Sequence, residues 1–116
     1  MYKISIITVT LNSEKTIVNT LNSAINQTCK NIEHIFVDGG SSDNTIKILK
    51  KYPFKNKKII IKKNSTIYEA INIGIRNSTG HIISILNSDD FYNNSRILEK
   101  IYTEFKKNKT ADVISG

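Results

Sequence analysis

The chain has 116 residues, 39% apolar and 23% charged, with a net charge of +7. That size fits one domain over residues 1–116 with a single modest core. No apolar stretch approaches the roughly 20 residues of a membrane span, and Met1-Tyr2-Lys3-Ile4 runs straight into a strand pattern with no signal peptide visible.

The elements follow in chain order. Ile4-Ser5-Ile6-Ile7-Thr8-Val9-Thr10 is rich in β-branched residues and predicts a strand. Leu11-Asn12 turns the chain, and Ser13 is placed to cap a helix with Glu14 in its first turn. Ile17, Leu21, Ala24 and Ile25 then recur at helical spacing. Residues 32–38 predict a second strand, ending Ile35-Phe36-Val37-Asp38. Gly39-Gly40-Ser41-Ser42 is a loop, and Ser42 or Asp43 can cap a helix carrying Ile46, Ile48 and Leu49, which Pro53 ends. A third strand is expected at 58–62. The following helix spans about 66–77, with Ile67, Ala70, Ile71 and Ile75 on its buried side. Ser78-Thr79-Gly80 breaks it before a fourth strand at 81–86. Ser95 is placed to cap an amphipathic helix reaching about residue 107, with Ile97, Leu98, Ile101 and Phe105 inward, and a fifth strand begins at Ala111. This alternation predicts an α/β fold, a mostly parallel doubly wound sheet with helices on both faces.

Two strand ends carry acid. The run Ile82-Ile83-Ser84-Ile85-Leu86 leads into Asn87-Ser88-Asp89-Asp90. Adjacent carboxylates repel unless a cation lies between them, and magnesium or manganese would also neutralise a diphosphate. The alternative is that Asp90 caps the next helix and Asp89 is solvated. Asp38 closes the second strand, where a carboxylate can accept a hydrogen bond from a base or sugar, or can instead cap its own loop. Open parallel sheets bind ligands at the carboxyl ends of their strands. His34 and His81 read as core or surface residues. Cys29, the single cysteine, allows no internal disulfide and suits a reducing cytosol; no histidine and acid pattern marks it as a nucleophile. Lysines cluster at 47–63 and 100–109; they are not read as a nucleic-acid surface with stacking platforms, so no nucleic-acid partner is expected. Solvated faces, or a weak pull toward anionic membranes, account for them.

These residues resemble inverting glycosyltransferases of family 2, with the GT-A fold. Ser5-Ile6-Ile7-Thr8-Val9-Thr10-Leu11-Asn12 is similar to the family's S-V-I-I-P-T-Y-N, and Phe36-Val37-Asp38-Gly39-Gly40-Ser41-Ser42-Asp43-Asn44-Thr45 resembles its V-D-D-G-S-T-D-x-T segment. Tyr68-Glu69-Ala70-Ile71-Asn72-Ile73-Gly74-Ile75 looks like a subgroup's Y-D-A-M-N-K-G-I, and Leu86-Asn87-Ser88-Asp89-Asp90 is similar to the L-x-x-D-D form of the metal motif. The resemblance covers essentially the whole chain. It implies that Thr10, Asn12, Asp38 and Asp89 bind the nucleotide, with Asp38 on the base. It also implies that Tyr68 and Asn72 border the donor sugar, and that Asp90 and Asp89 hold a divalent Mn or Mg ion. The implied partners are a nucleotide-diphosphate sugar and a glycan, lipid or protein acceptor, in cell-surface polysaccharide synthesis.

Val9 stands where the family has proline, Asn87 where many members have aspartate, and Glu69 for aspartate. The resemblance places the general base and the acceptor-binding half beyond Gly116. The chain then reads as the truncated donor-binding half, inactive in isolation, in the cytoplasm at the inner face of the membrane. A last strand left as an open edge invites a homodimer. Two rivals stand beside this reading. One is a binding-only nucleotide module. The other is a phosphoacceptor domain, which needs an acidic pair after the first strand where this chain has Leu11-Asn12.

Overall fold

A computed structural model describes residues 2–108 and 113–115. Five parallel strands form one sheet in the order β3-β2-β1-β4-β5: β1 (Ile4–Thr10), β2 (Ile32–Asp38), β3 (Lys57–Ile61), β4 (Ile82–Ile85) and β5 (Val113–Ser115). Four helices connect them in sequence: α1 (Ile17–Ile25), α2 (Thr45–Lys51), α3 (Ile67–Arg76) and α4 (Ile97–Asn108). The doubly wound sheet expected from the alternation is the one observed. The expected start of the last strand, Ala111, lies outside the described residues.

The two faces of β1 and β2 explain the layering. A parallel strand buried on both sides needs apolar residues at odd and even positions alike. Ile4, Ile6 and Ile32 face a core built with Ala24 of α1 and Leu98 and Phe105 of α4. Phe36 packs with Ile17, Leu21 and Leu49, joining α1 and α2 on that same face. Ile7, Ile35 and Val37 point the other way, onto Ala70 of α3. Gly74 lets α3 approach closely, since a Cβ there would meet Ile7 Cγ2 at 2.6 Å.

Two expected caps shift, and of the two candidates before α2 it is Asp43 that bonds. Ser13 does not bond as a side-chain cap: α1 begins at Ile17, and it is the Ser13 carbonyl that accepts from the amides of Thr16 and Ile17. For α2, Asp43 Oδ1 accepts from the Thr45 amide (2.9 Å) and hydroxyl (2.6 Å), one residue outside the formal cap Asn44. Before α4 the Asn94 side chain, not Ser95, accepts from the Arg96 amide (2.9 Å). For α3, Thr66 and Glu69 form a reciprocal capping box. Ile67, expected to be buried, is 68% exposed. It sits in the first turn of α3, beyond the carboxyl edge of the sheet.

Candidate functional site

The chain leaves β1 toward β2 and β3 on one side and returns to β4 and β5 on the other. The strand order therefore reverses between β1 and β4, and adjacent loops there diverge to leave a crevice. A cavity of about 630 Å³ occupies that position. Leu11, Asn12 and Ser13 after β1 form one wall, Asn87, Ser88 and Asp89 after β4 the other, and Ile67 reaches in from α3.

The loop after β4 is held by its main chain. Ser88 C=O accepts hydrogen bonds from Thr16 Oγ1 (2.9 Å) and Thr20 Oγ1 (3.0 Å), and Asp90 C=O also accepts from Thr20 (2.5 Å). Ser13 Oγ donates to Ser88 Oγ at 3.0 Å. Thr16 and Thr20 lie one helical turn apart, so one face of the α1 segment carries both tethers. That spacing was visible in the sequence, although nothing in it signalled the partner.

Asp89 is exposed on the cavity wall, and its carboxylate makes no hydrogen bond or ion pair among the described residues. Asp90 is also exposed but does not line the cavity, and its Oδ1 accepts from the Phe91 amide at 2.8 Å. Among the described residues no group of three or more His, Cys, Asp or Glu side chains gathers to hold a metal. Two adjacent carboxylates still suit a hard divalent ion that takes most of its oxygen ligands from a diphosphate and water.

Asp38 sits differently from Asp89. It is fully buried, and its carboxylate accepts four hydrogen bonds. Oδ1 takes the hydroxyls of Thr10 and Ser41, both at 2.6 Å, and Oδ2 takes the amides of Gly40 (2.9 Å) and Ser41 (2.7 Å). Burial alone would raise its pKa. The Ser41 hydroxyl and amide, the Thr10 hydroxyl and the Gly40 amide outweigh burial and hold it below the ordinary value. An ionised carboxylate offers about four acceptor sites, and here all are taken. Thr10 is likewise fully buried and committed to Asp38.

Asn12 lies on the cavity wall in a left-handed conformation, φ 49°. Its Oδ1 accepts from the amides of Ser42 (2.8 Å) and Asp43 (3.3 Å), and its own amide donates to Ser41 Oγ (2.8 Å). Tyr68 is 82% exposed and Asn72 is exposed, and neither lines the cavity. The structure therefore brings Asn12 and Asp89 together at the crevice. It places Thr10 and Asp38 behind the wall, and Asp90, Tyr68 and Asn72 outside it. Sequence reasoning missed Leu11, 57% exposed, and Ile67 as wall residues. Apolar residues on an otherwise polar rim were the available signal.

The remaining titratable candidates are structural. His34 is buried in the core between Phe36 and Tyr52, with Nε2 2.8 Å from Thr8 Oγ1. Burial pushes its pKa down to about 3. Burial also pushes the Cys29 thiol up, away from a thiolate. Cys29 lines a separate, almost wholly apolar hollow of about 350 Å³ with Tyr102, at the opposite end of β2 from the crevice.

Residues 5–116 match the family described as Glycosyl transferase family 2. The chain belongs to that family. An Escherichia coli relative, UDP-Glc:alpha-D-GlcNAc-diphosphoundecaprenol beta-1,3-glucosyltransferase WfaP, is 36% identical over 105 residues, covering 88% of this chain and 41% of WfaP. The Staphylococcus aureus poly(ribitol-phosphate) beta-N-acetylglucosaminyltransferase TarP is 34% identical over 121 residues, covering 100% of this chain and 36% of TarP. Among solved structures, S. aureus TarS in complex with UDP-GlcNAc superposes with a TM-score of 0.86 at 28% identity, covering 92% of this chain and 32% of TarS. The fold is thus the GT-A fold of these enzymes. The chain spans less than half the length of the curated family members it matches.

Proposed function

We propose that the chain is the donor-binding part of a metal-dependent glycosyltransferase. It would pass a sugar from a nucleotide diphosphate to a glycan, lipid or protein acceptor in cell-surface polysaccharide synthesis. The observation that carries this reading is the cavity at the strand-order reversal, with the free Asp89 carboxylate on its wall. Its likeness to WfaP, a glucosyltransferase named for a UDP-glucose donor, and to TarS, solved with UDP-GlcNAc, supports it.

Asp89, with Asp90 beside it, would hold the divalent ion, whose contribution is to neutralise the diphosphate leaving group. Asn12 and Leu11 face the nucleoside side of the cavity. Tyr68, next to Ile67 in the first turn of α3, and Asn72, midway along that helix, remain the residues proposed to border the donor sugar. The general base belongs to the remainder of the protein.

The same reading sets the protein at the inner face of the membrane. Residues 44–68 contain eight lysines and no acid, so with a net charge of +7 overall the rest of the chain nets −1. That segment comprises α2 and the edge strand β3, where the exposed Ile61 adds apolar surface.

The test is a titration of UDP with and without manganese, for the wild type and for Asp89→Ala and Asp90→Ala. Manganese is expected to tighten UDP binding in the wild type at least about tenfold, with most of that gain lost in Asp89→Ala. Metal-dependent affinity unaltered in both variants would overturn the metal assignment, and no binding of UDP by the wild type would overturn the donor-site reading.

A further inference from the structure

The sequence motifs suggest that Asp38 touches the nucleobase. We infer instead that Asp38, together with Asn12, is a positioning residue that locks the loops after β1 and β2 together, so that Leu11 presents an apolar wall to the base. This rests on the nucleotide-site reading above and names how that site meets its ligand.

Three observations carry the inference. Asp38 is fully buried, and all its acceptor sites are filled by Thr10, Gly40 and Ser41. A base N–H would have to displace one of these bonds and open the loop to reach it. Second, the two loops are stitched from both sides. Thr10, the last residue of β1, is bound to Asp38 through its hydroxyl, and its carbonyl accepts from the Gly39 amide at 2.9 Å. Two residues on, Asn12 binds the main chain of Ser42 and Asp43 and the hydroxyl of Ser41. Ser41 therefore joins both clamps.

Third, Leu11 lies between these anchors and is 57% exposed on the cavity wall. Its Cδ1 stands 3.6 Å from where a Cβ on Gly39 would be, so it rests over that bare backbone. Gly40, at φ 102°, takes the turn that brings two amides onto Asp38. A planar base meeting such a wall is held by its faces, and every base has those.

The alternatives separate on base selectivity. Uracil offers a ring N–H where cytosine offers a bare nitrogen, so a carboxylate on the base would tell UDP from CDP. A brace weakens both alike. Asp38→Asn keeps the size of the side chain but turns a donor toward the Gly40 and Ser41 amides. The experiment measures amide hydrogen exchange of residues 40–43 without ligand, and UDP and CDP affinities with manganese, for wild type, Asp38→Asn, Ser41→Ala and the double variant.

Exchange in Asp38→Asn should rise about tenfold, and UDP and CDP binding should fall by a common factor. Ser41→Ala should reproduce this in smaller measure, and serves if Asp38→Asn does not fold. The double variant should be little worse than Asp38→Asn alone, since both cut the same network. A changed UDP-to-CDP ratio, or unaltered exchange at residues 40–43, would overturn the inference. Failure of the wild type to bind either nucleotide would sink the donor-site reading, while the exchange arm would still decide whether Asp38 braces the loops.

Discussion

Asp38 and His34 lie on one face of β2, four residues apart, and show opposite uses of burial. Asp38 is ionised behind four donors, whereas His34 is neutral between two rings, with the Thr8 hydroxyl at one ring nitrogen and the Tyr52 hydroxyl at the other. His34 has consequences for stability. Its pKa is about 3 when folded and near 6.5 when unfolded. Below pH 6.5 the unfolded chain takes up a proton that the folded chain refuses, so stability falls with pH from about 6.5 toward about 3. Between pH 7 and pH 5 the loss should be about 2 kcal/mol, read by urea unfolding at each pH. His34→Leu should be less stable at pH 7, because it strands the Thr8 hydroxyl, and should show a flatter slope over that interval. An equal slope in both proteins would place the titrating group elsewhere. That His34 is a structural residue and not a ligand was legible from its place in a strand, while its choice of core over surface was not. The saturation of Asp38 was not, because three of its four donors depend on how the Gly39-Gly40 turn closes and the fourth on which strand lies alongside.

The strands were legible almost residue by residue, since β-branched runs buried on two faces leave little choice of boundary. Helix starts, α3 aside, were less so. Ser13 and Ser95 have the right chemistry for a cap, yet neighbouring groups took the bonds, and of the two candidates before α2 it is Asp43 and not Ser42 that bonds Thr45, because loop contacts from other elements decide which oxygen points inward. Helix packing depends on Gly74. A methyl group there gains about 1 kcal/mol of helix propensity but would press on Ile7, which has no room to yield. Gly74→Ala should therefore destabilise the fold by about 1–3 kcal/mol in chemical denaturation. Ile7→Ala, costly alone, should cost measurably less in the Gly74→Ala background, because the new methyl occupies part of the vacated volume. Strict additivity of the two would show that α3 is free to shift away from the sheet.

Over the whole molecule, charge is unevenly divided, with the excess carried by α2, β3 and the loop around it. Within that region Lys57 is spent on main-chain carbonyls at the end of α2, and Lys58 on Glu33 and the Asn77 carbonyl. Lys62 and Lys63 are exposed at the end of β3 nearest the crevice. Co-sedimentation with phosphatidylglycerol vesicles should exceed that with phosphatidylcholine and fade as salt rises. Lys62→Gln with Lys63→Gln should cost about 2 kcal/mol of binding, against little change for Lys106→Gln. Equal binding to both lipids would remove the membrane from the proposal. The tethers from Thr16 and Thr20 have a different kind of consequence. They grip carbonyl oxygens, which every amino acid possesses, so these tethers do not depend on the side chains of Asn87 and Asp89, neither of which bonds elsewhere in the loop among the described residues. Asn87 and Asp89 can be exchanged without loss of the loop's shape. A lineage, or an engineer, can revise the ligand chemistry of this crevice one residue at a time while the scaffold keeps its form.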